Sequence, residues 1–97
     1  LKRLNSITIL CQDKYEAQKL AGLIFVNDTK ETYITEILDT IENEIILSIK
    51  DKSVHSVVLK NKEQVLFFTD FIQSVTEKKQ KIVQTEIEEN SVRIIKE

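Results

Sequence analysis

Few residues in this chain could make or break a bond. His55 is the only histidine and Cys11 the only cysteine among 97 residues. His55 lies in a β-branched run beside Ser56, and Ser48 falls across a short polar break, so a base stands near two hydroxyls. A working nucleophile also needs a group to orient the base and donors for an oxyanion. Nothing at a suitable spacing supplies either, and His55 reads as a partly exposed strand residue. A zinc centre takes three or four Cys, His or carboxylate ligands in register, which one Cys and one His do not provide. Cys11 follows the apolar run of a strand and reads as a small buried hydrophobe rather than a reactive thiol. Loops that cradle phosphate need several glycines, and Gly22 stands alone. No catalytic residue, cofactor or metal ligand is assigned, and an enzyme is not expected.

Charge and composition point to binding instead. Net charge is −2, so the global balance does not call for nucleic acid or anionic lipid. Lys60, Lys62, Lys78, Lys79 and Lys81 gather at the two ends of one helical stretch. The aromatic residues between them, Phe67, Phe68 and Phe71, are needed for a core and are not free to stack on bases. Glu86, Glu88 and Glu89 would repel a phosphate backbone. No apolar run approaches the ~18 residues of a membrane span. A single cysteine excludes an internal disulfide and suits a reducing, intracellular compartment. With no Pro and one Gly, the composition is that of one ordered domain over residues 1–97 rather than a linker-rich chain.

The elements that would carry any surface follow from periodicity. Residues 5–12 alternate as a first strand, with Ile7, Ile9 and Cys11 on one side. Asp13 and Glu16 form a capping box for a helix whose buried face is Ala17, Leu20, Ala21 and Ile24. Gly22 can end that helix, which would leave Leu23–Val26 as a short strand. The other reading carries the helix through Phe25 to Asn27, and the short strand is preferred. Asp28 and Glu31 look like a second capping box, followed by a helical stripe of Ile34, Ile37, Leu38 and Ile41 that ends near Asn43. A hairpin comes next: Ile49 opposite Val54, Leu47 opposite Ser56 and Ile45 opposite Val58, turning at Asp51-Lys52. Asn61 caps a long helix to Gln80, with Gln64 completing its capping box. Its buried face is Val65, Phe67, Phe68, Phe71, Ile72 and Val75, and Leu66 lies on the charged side with Asp70, Gln73 and Glu77. A last hairpin turns at Glu89-Asn90 and sets Val92 against Ile87, Ile94 against Thr85 and Arg93 against Glu86. No internal repeat is visible.

Two resemblances accompany this reading. Leu23 to Asp28 is similar to the apolar strand plus Asp that holds magnesium in nucleotide hydrolases, and Asp28 as a helix cap accounts for the same residues. Ser56 to Val75, a strand ending in Lys60-Asn61 and then an amphipathic helix, resembles the last strand and closing helix of pleckstrin-homology-type barrels, without their usual tryptophan. That likeness implies a phosphoinositide or nucleic-acid binder using the lysines at the helix ends. The fold expected from the elements is α+β, an antiparallel sheet with its helices packed on one face, as in ferredoxin-like plaits and related two-layer sandwiches. The function expected first is a small regulatory or adaptor module that binds another protein or a second copy of itself. Its contact residues are expected at Leu66, Asp70 and Gln73 on the long helix. Arg93, Ile94 and Lys96 join them on a last strand that would stand as an open sheet edge.

Overall fold

In the computed structural model, residues 4–24 and 32–97 are described. Phe25, Val26, Asp28 and Glu31, for which the sequence suggests a strand end and a helix cap, lie outside them. The order of elements is β1 (Asn5–Leu10), α1 (Lys14–Ile24), β2 (Ile34–Ile41), β3 (Glu44–Ile49), β4 (Val54–Val58), α2 (Lys62–Lys78), β5 (Ile82–Glu88) and β6 (Ser91–Lys96). The strands form two antiparallel three-stranded sheets, β1-β6-β5 and β2-β3-β4. A single bridge, Cys11 to Leu59, ties β1 to β4 and so links the sheets. One face of each sheet joins the buried sides of both helices in one core. The architecture is α+β of the two-layer type.

The order strand-helix-strand-strand occurs twice, and the two halves match in detail. Asp13 caps α1 by accepting from the Glu16 amide at 3.0 Å, and Asn61 caps α2 by accepting from the Gln64 amide at 3.0 Å. In each box the third residue reaches across to the other half. The Glu16 carboxylate accepts from the Val58 amide, and Gln64 Oε1 accepts from the Leu10 amide. The hairpin tips match too. Asn43 accepts from the Leu59 amide and returns its side-chain amide to the Leu59 carbonyl. Asn90 does the same with both backbone groups of Cys11. Ile9, Leu20 and Ile34 have their counterparts in Val57, Phe68 and Ile82, all buried.

The halves are interlocked rather than side by side. β4 completes the sheet begun by the β2-β3 hairpin, and β1 completes the sheet of β5-β6. Helix α1 packs on β5 and β6, and α2 packs on β2. An internal repeat is therefore present where the sequence showed none. It is carried by burial and hydrogen-bonding roles more than by shared residue identities.

Several local expectations are corrected. Residues 34–41 form a strand, not a helix. Two bulges in β2 explain the error: Ile34, Ile37 and Thr40 pair with Ile49, Leu47 and Ile45, so three residues of β2 are spent for every two of β3. A strand bulged twice repeats every third residue and imitates a helical stripe. The first helix runs through Gly22, and Leu23 and Ile24 are buried helix residues instead of a strand. The β3-β4 register is one residue away from expectation, with Ser48 opposite Val54, Leu47 opposite His55 and Ile45 opposite Val57. The turn takes an additional residue because Lys52 adopts φ 70° and donates its amide to the Ile49 carbonyl. This register places Ile45 and Val57, both fully buried, on the core side. On α2, Val65, Phe68, Phe71, Ile72 and Val75 are buried as expected, whereas Phe67 is 45% exposed. The last hairpin has the expected pairs, including Glu86 with Arg93.

Candidate functional site

His55 has a polar neighbourhood, though not with Ser48 or Ser56. Its Nε2 lies 2.7 Å from Ser53 Oγ, and that hydroxyl donates to Asp51 Oδ1 at 2.5 Å. The Ser53 amide donates to the same carboxylate oxygen at 2.8 Å. Asp, Ser and His thus meet at the β3-β4 turn in the wrong sequence for nucleophilic catalysis. The carboxylate accepts the hydrogen bond from the hydroxyl, which leaves Nε2 to donate to Ser53 rather than accept from it. Asp51 sits below the usual carboxylate range because the Ser53 hydroxyl and amide both donate to it, with a smaller attraction from His55. The cluster fastens a turn.

Cys11 is fully buried. Burial, reinforced by the negative charge of Glu16 and then Asp13, pushes its thiol up to about 12. A thiol held that high is a poor nucleophile at neutral pH. Among the described residues there is no group of three or more His, Cys, Asp or Glu placed to hold a metal ion. No described helix is long and apolar enough to cross a membrane.

The residues expected to contact a partner separate into two sets. Leu66 is 60% exposed, and Asp70 and Gln73 share its side of α2, where Gln73 donates to Glu77. The second set does not form an edge. β6 lies between β1 and β5, so its backbone is paired on both sides. Ile94 is fully buried and Arg93 faces Glu86 at 3.7 Å. Lys96 Nζ sits 5.3 Å from the centre of the Phe71 ring and donates to Gln80 Oε1 at 2.8 Å. The lysines also divide. Lys60 and Lys62 stand at one end of α2 and Lys78, Lys79 and Lys81 at the other, roughly 25 Å apart at the usual helical rise.

Sheet order shows what sequence reasoning missed. Among the described residues, β2 and β5 are the outer strands not joined to the other sheet. Beside β2 the surface opens into a groove against α2. Its first section, about 370 Å³, is lined by Thr32, Ile34 and Thr35 on one wall and Val75, Thr76 and Lys79 on the other. The second section, about 190 Å³, continues along Glu36, Ile37, Ile72 and Gln73. Thr35 and Thr76 border both sections. Ile34, Ile72 and Val75 lie beneath it and are nearly inaccessible, so the surface it offers is mixed polar and apolar. Gln73 places this groove against the same side of α2 that carries Leu66 and Asp70. A signal for it existed in the β-branched content of residues 34–41, which the helical stripe concealed.

No family model, curated protein or solved structure matches this chain.

Proposed function

We propose that this protein is a non-enzymatic binding module that takes a segment of another protein along the β2-α2 groove. The observation that supports the reading is an outer strand running beside a helix across an open cleft. An outer strand offers unpaired N–H and C=O groups to an added strand, and a flanking cleft receives every second side chain of it. The bulges in β2 interrupt the ladder, so the pairing available is short. Leu66, Asp70 and Gln73 extend the contact along α2. Intracellular action, regulation and self-association belong to the same proposal.

The test is substitution of Thr76, an exposed residue on the wall of both groove sections. Thr76→Trp fills the cleft while leaving the buried face of α2 intact. Partner binding should fall at least about tenfold, equivalent to ~1.4 kcal/mol, with the unfolding midpoint nearly unchanged. An unaltered affinity in a folded Thr76→Trp protein removes the groove from consideration.

The alternative, a nucleic-acid or phosphoinositide binder resembling the closing strand and helix of pleckstrin-homology-type barrels, has less behind it. The strand and helix are present, but the lysines it needs sit at opposite ends of α2. Binding that weakened steeply with salt and survived Thr76→Trp would favour it.

A further inference from the structure

The two halves are joined by one connection, residues 50–53, and each buries its helix on the other. Helix α1 packs on β4, β5 and β6 of the second half, and α2 packs on β1 and β2 of the first. β1 pairs with β6, and β3 with β4. The side chains of Glu16, Gln64, Asn43 and Asn90 all bond across the same divide. Inside each half the strand pairing is a single hairpin, β2-β3 or β5-β6. A half therefore presents one large surface shaped for the other half, and a second copy of the chain carries that same complement.

The connection can adopt a second form. Closed, it holds Lys52 at φ 70°, a left-handed backbone that is costly for a residue with a side chain. The register on either side is symmetric about Asp51. Ser48 faces Val54, and the Ile49 amide donates to the Ser53 carbonyl at 3.2 Å. If residues 50–52 straighten, the same register runs on between two copies without a slip, and Asp51 meets Asp51 on a two-fold axis. The alternation also continues, because Leu47, Ile49, Asp51, Ser53 and His55 fall on one side of the resulting strand.

We infer that two copies of this chain exchange halves, the first half of each closing on the second half of the other, with β3 and β4 joined into one long strand. Every contact between halves is made again in the dimer, so the exchange gains or loses only at the turn. The left-handed residue is relieved in both copies. Against this, Ser53 gives up its amide and hydroxyl bonds to Asp51, the two Asp51 carboxylates come face to face, and Lys50 falls opposite Lys52. The closed chain accordingly prevails in dilute solution, and the dimer forms at high concentration once the turn has opened. The exchange is independent of the β2-α2 groove, and the dimer carries two copies of β2.

The experiment uses the full chain with Ser48→Cys and Val54→Cys, a facing pair at a non-hydrogen-bonded position, where a Cα separation of about 4.5 Å suits a disulfide. Cys11 is fully buried and takes no part. Lys52→Val and Lys52→Gly are made in this background. Both remove the lysine charge and differ in backbone preference: valine resists the left-handed turn and favours the straight strand, and glycine does the reverse. Each protein is unfolded, refolded under reducing conditions at a series of concentrations, and separated by size. The dimer fraction is then oxidised and run on a denaturing gel. Two turns open for each dimer, so the preference enters twice, and dimerisation constants should differ at least about twentyfold in favour of valine. The dimer should carry its disulfides between chains. Equal constants overturn the role of the turn. Disulfides confined within single chains mean that copies meet through a surface, which overturns the exchange. Should Lys52→Val fail to fold as monomer and as dimer, the gel is read on the cysteine pair with Lys52 retained, refolded at millimolar concentration. Dimers linked between chains there support the exchange, and internal disulfides alone, or no dimer, overturn it.

Discussion

The two halves share a framework and differ in what they present to solvent. At the position where α1 carries Gln18 and Lys19, α2 carries Leu66 and Phe67. Lys19 is engaged, donating to the Ser56 carbonyl at 3.1 Å and pairing with Glu16 at 3.3 Å. Leu66 and Phe67 are 60% and 45% exposed. The outward faces of the sheets differ in the same sense. On β2-β3-β4 this face carries Ile41, Ile46, Val54 and Val58 among Glu36, Glu44, Ser48 and Ser56, whereas on β1-β6-β5 it carries Leu10 and Ile95 among Ser6, Thr8, Glu86 and Arg93. The buried positions have been held to one pattern in both halves, and the exposed ones have not. A repeated framework thus carries two different surfaces.

The strongest way to break this comparison is at the core. Leu20 and Phe68 hold equivalent sites and both are fully buried. Leu20→Ala should cost ~2–5 kcal/mol and Phe68→Ala ~3–5 kcal/mol in chemical denaturation. Phe67→Ala and Leu66→Ala should stay within about 0.5 kcal/mol, as surface changes do. A Phe68→Ala loss smaller than that of Leu66→Ala would show that the buried face of α2 is misassigned.

The comparison is sharpened at the hairpin tips. Asn43→Ala and Asn90→Ala each remove one side-chain donor to a backbone carbonyl of the other half. Each should cost ~1–2 kcal/mol, and the two values should agree within error. A large effect of one and none of the other would mean that the two junctions share a geometry without sharing a load.

The smallest expected effect separates the tips that match from the turn that does not. The Asp51-Ser53-His55 cluster belongs to the β3-β4 turn alone. Asp51 is held below its unfolded value, so its contribution is present above the unfolded pKa and is lost as pH falls through the folded one. Acid titration below about pH 4 should release the Ser53 amide to exchange, and Asp51→Asn should abolish that dependence. A Ser53 amide whose protection ignores pH in wild type would remove the carboxylate from the account.

Much of the framework was legible in the residues. Asp13 with Glu16 and Asn61 with Gln64 marked both helix starts. The alternation through Ile87 and Val92 gave the last hairpin in register, because its two-residue turn leaves no freedom to slip. What failed did so for local geometric reasons. Bulges turned a period of two into a period of three in β2. A left-handed Lys52 added a residue to a turn without glycine to announce it. The groove was out of reach for a different reason: it depends on which strands end up outermost. β6 looked like an edge because it comes last, and the pairing that covers it comes from β1, at the far end of the chain.

That pairing has a consequence for how the molecule is assembled. Asn5 to Leu10 find their register only against Ser91 to Lys96. During synthesis β1 emerges early and waits for the end of the sequence, while β2, β3 and β4 close a sheet from neighbouring segments. The slow step is then the closure of one very long loop, which places the sheet containing β1 late in the folding order. Because the first and last strands are neighbours, a permuted chain that joins them by a short connection and opens between β3 and β4 would keep every strand pair. It would make β1-β6 a local pair and β3-β4 the most distant one, so the two sheets would exchange places in the order of closure.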